Sequence, residues 1–195
     1  NDDELRNNFA ISLIYVNKAF NQYSTEDAYN YLLKSKTEFN LIIDEKSLRK
    51  LSKDHINDSI YLVNFKNICN RALEDAIVIN TIDNYNHYIR FYRKSSLENN
   101  KIAVVKRNIV AYNTAIITHT IESYKYFIET YLQAKQIDEA WSQIYNIAFE
   151  NSTEKHTISG YNYFINIYTN APQVHLATQG IHAIAFNNAK TEHTS

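Results

Sequence analysis

A twelve-residue string recurs in this chain, and it constrains the fold more than any other feature. Thr120-Ile121-Glu122-Ser123-Tyr124-Lys125-Tyr126-Phe127-Ile128-Glu129-Thr130-Tyr131 and Thr157-Ile158-Ser159-Gly160-Tyr161-Asn162-Tyr163-Phe164-Ile165-Asn166-Ile167-Tyr168 agree at Thr, Ile, Tyr, Tyr, Phe, Ile and Tyr. The offset is 157 − 120 = 37 residues. It persists without a gap through Ala134/Ala171, Ile137/Val174, Ala140/Ala177, Ile144/Ile181 and Ile147-Ala148-Phe149/Ile184-Ala185-Phe186. A weaker copy begins at Thr81-Ile82-Asp83-Asn84-Tyr85, 120 − 81 = 39 residues earlier. Repeats of this length are the mark of stacked units that bury their apolar faces against their neighbours. The two extra residues are expected in a loop at Ser95 to Asn100, where added length costs little.

The repeated unit reads as two helices. Tyr124, Phe127, Ile128 and Tyr131 follow the i, i+3, i+4, i+7 spacing of one helical face, and so do Ala140, Ile144, Ile147 and Ala148. Thr81, Thr120 and Thr157 are expected to cap the first helix of each unit, and the second is expected to end near Ala72, Ala111, Ala148 or Ala185. With 2 Gly and 1 Pro in 195 residues, the chain lacks the material for a series of tight β-turns, so the fold expected is all-α. Residues 1–57 read as N-terminal helices and an irregular connection, and residues 58–195 as one continuous helical-repeat domain. A first helix is expected over Asp2 to Gln22, with the stripe Leu5, Phe9, Leu13, Val16 and Phe20. Ser24 caps a second helix, a short helix carries Leu48 and Leu51 within the connection, and another runs over Asp58 to Val78.

The string Gly160-x-x-x-Phe164-x-x-x-Tyr168-x-x-Ala171-Pro172-x-x-x-x-Ala177 resembles the tetratricopeptide (TPR) type of helical repeat. It matches the second helix, terminal proline and following first helix of that repeat, and the preceding copy has Ser123, Phe127 and Trp141. The resemblance covers roughly Asp58 to Ala189. It implies an α-solenoid of antiparallel helix pairs in a right-handed superhelix whose concave face binds another protein or a peptide segment, usually without catalysis. On that reading the partner-facing positions are those of the second helices that differ between copies: Val105, Asn108 and Ile109, then Ser142 and Asn146, then Gln179 and Ala183. They lack the Lys/Asn set with which chaperone-binding members of the family hold a C-terminal carboxylate. The recurring Tyr85/Tyr124/Tyr161 and Tyr92/Tyr131/Tyr168 are expected to pack between helices.

Catalysis, metal binding and cofactors find little support in the residues. His119 and His156 each precede a capping Thr, so a turn or capping role is expected. His175 and His182 share a helix without the closer spacing that zinc wants, and His87 aligns with Tyr126 and Tyr163. Arg49 and His55 are spaced like the short Arg/His motif of the HEPN class of all-α ribonucleases, which makes a ribonuclease one alternative; a helical inhibitor or immunity-type protein is another. Gly160 and Gly180 alone cannot build a Gly-rich phosphate loop. The net charge of −1 argues against tracking a nucleic-acid backbone. No run of about 18 apolar residues is present to insert in a membrane. Cys69 is the single cysteine, and Asn57-Asp58-Ser59 and Asn151-Ser152-Thr153 are glycosylation sequons that matter only in a eukaryotic secretory route.

The expectation is therefore a non-catalytic protein-binding scaffold that needs no metal or cofactor. It belongs to a larger bacterial assembly or envelope protein, with the periplasm or cell envelope favoured over the cytoplasm. The chain starts at Asn with no Met, which reads as a trimmed piece of something longer. In the final helix, expected over Pro172 to Ala189, Val174, Ala177, Ile181, Ile184 and Ala185 face the preceding helix. Phe186 is expected to be partly exposed or covered by the tail Asn188 to Ser195, at an end where the chain continues or meets a partner.

Overall fold

The computed structural model describes residues 2–193. Ten helices and no strand occur among them: α1 (Asp2–Tyr15), α2 (Thr25–Phe39), α3 (Glu45–Lys53), α4 (Asp58–Ile79), α5 (Ile82–Phe91), α6 (Leu97–Thr118), α7 (Ile121–Thr130), α8 (Ile137–Lys155), α9 (Ile158–Ile167) and α10 (Val174–Glu192). The chain is all-α, as its composition requires. None of these helices is long and apolar enough to cross a membrane. The residues form two compact units, Asn1–Arg107 and Asn108–Ser195, with α6 passing from one into the other.

In the first unit α2 packs on α1 and α4, and α4 also meets α5. Leu5, Asn8, Phe9, Ser12 and Val16 form the buried face of the N-terminal segment, whereas Leu13 is 39% exposed. Leu5, Phe9 and Val16 of the expected stripe are thus buried, Phe20 is half-buried, and only Leu13 gives up its place, to Ser12. Ser12 can lie in a dry contact because its hydroxyl donates to the Phe9 carbonyl at 2.6 Å, and its small size lets the neighbouring helix approach. α1 also stops at Tyr15 and does not reach Gln22. Asn17 Oδ1 accepts the Ala19 amide at 3.0 Å, an Asx turn that competes with helix continuation. Ser24 and Asp44 then cap α2 and α3 by accepting the Asp27 and Ser47 amides at 3.1 and 2.8 Å. At the junction of three helices, the Ser35 hydroxyl donates to the Leu5 carbonyl at 2.9 Å and lies 2.6 Å from the Tyr61 hydroxyl.

One corner is built three times on the same pattern, an Asn or His, then Thr, then Tyr. A long helix ends on a left-handed residue, Asn80 (φ 53°), His119 (φ 48°) or His156 (φ 42°). The next residue, Thr81, Thr120 or Thr157, accepts the amide three positions on at 3.2, 3.1 or 3.0 Å. A buried tyrosine four residues further on returns to the corner, with its hydroxyl 2.9 Å from Asn80 Oδ1, 3.1 Å from His119 Nδ1 or 3.3 Å from His156 Nδ1. Each Thr cap is worth about 1 kcal/mol. The side-chain bond holds a non-glycine residue in a conformation that costs about 1–2 kcal/mol. His119 and His156 are therefore capping residues.

The long helices do not end near their conserved alanines. They run seven residues further, from Ala111 to Thr118 (118 − 111 = 7) and from Ala148 to Lys155 (155 − 148 = 7). The alanines instead mark where the next short helix lies across the long one. Ala72, Leu73 and Ala76 are buried on α4, which packs on α5. The equivalent Ala111, Tyr112 and Ala115 are buried on α6, where the Tyr112 ring lies 5.3 Å from Phe127 and the Ser123 hydroxyl donates to the Ala115 carbonyl at 3.2 Å. On α8, Ala148 and Ser152 are buried and the Phe149 ring lies 5.4 Å from Phe164. Of the recurring tyrosines, Tyr85, Tyr92, Tyr124, Tyr131 and Tyr161 are buried as expected, with Tyr88, Phe127 and Phe164 beside them, whereas Tyr168 is only half-buried against its cluster.

The two extra residues of the earlier copy do not lengthen a loop. The connection before α6 has five residues (92–96) against six before α8 (131–136), while α6 has 22 residues and α8 has 19. The difference, 3 − 1 = 2, is taken up by an earlier helix start. Ser96 makes this possible by accepting the Asn99 amide at 3.1 Å, a cap that α8 and α10 lack.

At the other end, α10 begins at Val174, past Pro172, and stays helical to Glu192. Phe186 is 69% exposed and Ala185 is exposed as well, so the expectation that Ala185 faces the preceding helix is not met. Asn188 to Glu192 continue the helix and do not fold back over Phe186; of the expected covering tail, Thr194 and Ser195 lie outside the described residues.

Candidate functional site

The positions expected to face a partner are partly surface and partly core. Ser142 and Asn146 on α8, and Gln179 and Ala183 on α10, are exposed and stand four residues apart on each helix. Val105 and Ile109 occupy the corresponding positions of α6 and are exposed too. Asn108 is buried and offers nothing to a ligand, which corrects the expectation for that residue: one position away from Ile109 the helix has turned toward its neighbours. Two of the polar members are already engaged. The Ser142 hydroxyl donates to the Asp138 carbonyl at 3.0 Å, and Asn146 Oδ1 accepts from Gln173 Nε2 at 2.6 Å. Asn146 is thereby pinned by the residue that opens α10.

A second surface, not identified from sequence, lies on the short helices. Tyr126 on α7 and Tyr163 on α9 hold equivalent positions and are each 66% exposed. Tyr163 forms part of the wall of a groove of about 460 Å³ between α7, the end of α8 and α9. Glu122 and Lys125 line it from α7, and Asn151, Glu154 and Lys155 from α8. The lining mixes both signs of charge with the amphipathic rings of Tyr163 and Tyr168, which suits a polar peptide segment better than a phosphate or an apolar cofactor. The signal was present in the helical phase, because Tyr126 falls off the Tyr124, Phe127, Ile128, Tyr131 stripe.

The raised phenol and thiol ionisations come chiefly from burial. Burial raises the phenols of Tyr85 and Tyr124, the latter with help from the Glu139 carboxylate. Burial and then Glu139 push Tyr112 up to about 12, and burial alone pushes the Cys69 thiol up to about 12. These groups stay neutral at physiological pH, so none of them is an activated nucleophile or a base. Among the described residues no group of three His, Cys, Asp or Glu side chains is placed to hold a metal ion.

Arg49 and His55 do not share a cleft. Arg49 Nη2 pairs with Glu45 Oε2 at 2.9 Å across one turn of α3 and borders a surface depression with Lys46, Lys50 and Lys53. His55 is exposed beyond the end of that helix, at φ 60°, and is not part of its walls.

Compared with family models, with curated proteins and with solved structures, the chain matches none.

Proposed function

We propose that the chain is a non-catalytic protein-binding scaffold: a TPR-like α-solenoid of antiparallel helix pairs with a right-handed twist, acting as a module of a larger bacterial assembly or envelope protein. One observation carries this reading. The units keep the same buried aromatics and the same Thr-capped corners, while the exposed positions differ between them, Ser142 against Gln179 and Asn146 against Ala183. A constant framework with a variable polar surface presents different side chains at regular intervals to an extended partner. Tyr126 and Tyr163 add large amphipathic contact area at a fixed spacing.

The test is affinity capture from the source organism, comparing wild type with Ser142→Glu/Gln179→Arg and with Tyr126→Ala/Tyr163→Ala. All four positions are exposed, so the fold tolerates the changes. A protein partner retained by wild type and lost from at least one double variant is expected. RNA cleavage by the purified chain that His55→Ala abolishes would overturn the reading.

A further inference from the structure

One face of the first unit carries a positive charge that its own carboxylates do not offset. Lys46, Arg49, Lys50 and Lys53 fall at i, i+3, i+4 and i+7 on α3, the spacing of one helical face, and no other eight consecutive residues of the chain hold as many Lys and Arg. Leu51, on the opposite side of α3, is fully buried, so the cationic face is turned outward and all four cations are exposed. With Asp44 and Glu45 counted, residues 44–53 carry 4 − 2 = +2 in a chain whose net charge is −1. Asp44 is the cap of α3, and Glu45 pairs only with Arg49, both side chains being exposed to water and salt that weaken the pair. The next carboxylates along the chain, Asp54 and Asp58, pair with Arg6 and Lys36 instead. Among the described residues Lys50 and Lys53 enter no ion pair. Two large aliphatic side chains stand beside this face. Leu41 and Ile43 are 77% and 93% exposed in the turn that leads into Asp44, and Ile43 lies three residues before Lys46, a span of at most about 11 Å.

We propose that α3 and the turn before it hold the protein on an anionic lipid surface, with Lys46, Arg49, Lys50 and Lys53 on the phosphate-bearing headgroups and Leu41 and Ile43 in the boundary between headgroups and acyl chains. Basic residues flanked by protruding aliphatics are what such a surface takes up, the charges by attraction and the aliphatics by leaving water. The depression between the cations is walled by α3 alone, through Glu45, Lys46, Arg49, Lys50 and Lys53. No second element stands opposite to enclose a free phosphate or a nucleotide, whereas a broad charged plane needs no enclosure. A nucleic acid would satisfy the cations and leave Leu41 and Ile43 in water. A fluid acyl layer receives a protruding aliphatic side chain without a pocket shaped to it. No helix of the structure is long and apolar enough to cross the bilayer, so the attachment is to its surface. This site is separate from the surfaces of the scaffold reading and adds to that reading the place where the scaffold is held.

The probe is a pair of vesicle preparations, phosphatidylcholine alone and phosphatidylcholine with phosphatidylglycerol in equal parts, sedimented with the purified chain. Retention on the anionic vesicles alone is expected, with release between about 0.1 M and about 1 M salt as the screening length falls from about 10 Å to about 3 Å. Lys46→Gln/Lys50→Gln, at exposed positions compatible with folding, should weaken it by at least about tenfold, since each cation near such a surface is worth about fivefold. Ile43→Cys labelled with an environment-sensitive dye should shift to the blue on anionic vesicles; Cys69 is buried and does not compete for the label. Equal retention on neutral vesicles, binding indifferent to Lys46→Gln/Lys50→Gln, or a label that stays in water overturns the proposal. So does salt-sensitive binding of polyglutamate or single-stranded RNA without binding of vesicles, which would assign the face to an acidic protein or a nucleic acid. Vesicle binding that fails while affinity capture succeeds would sink this inference and leave the scaffold reading standing.

Discussion

Replacing Phe164 and its neighbour Tyr163, one at a time, tests whether the helical phase of the repeat is understood. Phe164 is 1% exposed, within a cluster that includes Ala148, Tyr161, Ala171 and Ala177. Its ring lies 5.4 Å from that of Phe149 and 5.7 Å from that of Tyr168, so it bridges α8, α9 and the loop that follows. Phe164→Ala removes a filled aromatic volume that the surrounding rings cannot refill without moving, at a cost of about 3–5 kcal/mol. Against a domain stability of about 5–15 kcal/mol, that is a large share. The unit holding Phe164 has 195 − 108 + 1 = 88 residues. At that size each kcal/mol moves the melting temperature by about 4–8 °C, so the change should lower it by at least about 12 °C. Tyr163, one residue away, is 66% exposed, and Tyr163→Ala should cost no more than about 0.5 kcal/mol. Circular dichroism melts with urea titrations of both variants provide the comparison. A loss under about 1 kcal/mol for Phe164→Ala, or equal losses for the two, would refute the burial of this face.

Two further tests address the same packing. Gly180 sits inside α10, where Gly→Ala usually gains about 0.5–1 kcal/mol. Here the added Cβ would lie 2.8 Å from two ring carbons of the buried Tyr161, so urea unfolding of Gly180→Ala should show a loss of about 1–3 kcal/mol. Tyr112 links stability to alkaline pH. Its phenol titrates at about 12 in the folded chain against 10.0 ordinarily, chiefly through burial, so the folded state holds the proton more tightly. Its contribution is fully present below pH 10 and is lost as pH rises toward 12, and Tyr112→Phe should flatten that part of the stability profile measured by denaturant titration.

Much of the array was legible because the features that specify it are local. A Thr cap needs only its own hydroxyl and an amide three residues on, so Thr81, Thr120 and Thr157 were readable from the string alone. The capping role of His119 and His156 followed from their place before Thr, although the bond from their rings to Tyr124 and Tyr161 was not foreseen. Errors fell where a neighbouring element decided the outcome. Leu13 is the more apolar residue, but Ser12 takes the buried place because it is small and satisfies its own hydroxyl. The small alanines do mark where a neighbouring helix comes close, but that approach falls within the long helices and not at their ends.

Of the candidate surface, the exposed members Val105, Ile109, Ser142, Asn146, Gln179 and Ala183 are the ones that differ between copies. Asn108 was not separable from Ile109 on that criterion, because only the packed neighbours fix which side of α6 is covered.

The sequence by itself determined that this chain is all-α, where its repeated corners fall, and which aromatics bind one helix to the next. Those properties depend on periodicity and on contacts within a few residues. Which of the recurring small-large-small faces is packed and which is exposed was set by the tertiary structure. Ala148-Phe149 and Ala185-Phe186 are identical as sequence, yet the first is packed under α9 and Phe186 stands 69% exposed. Burial is a property of what lies across a surface, and no residue encodes it alone.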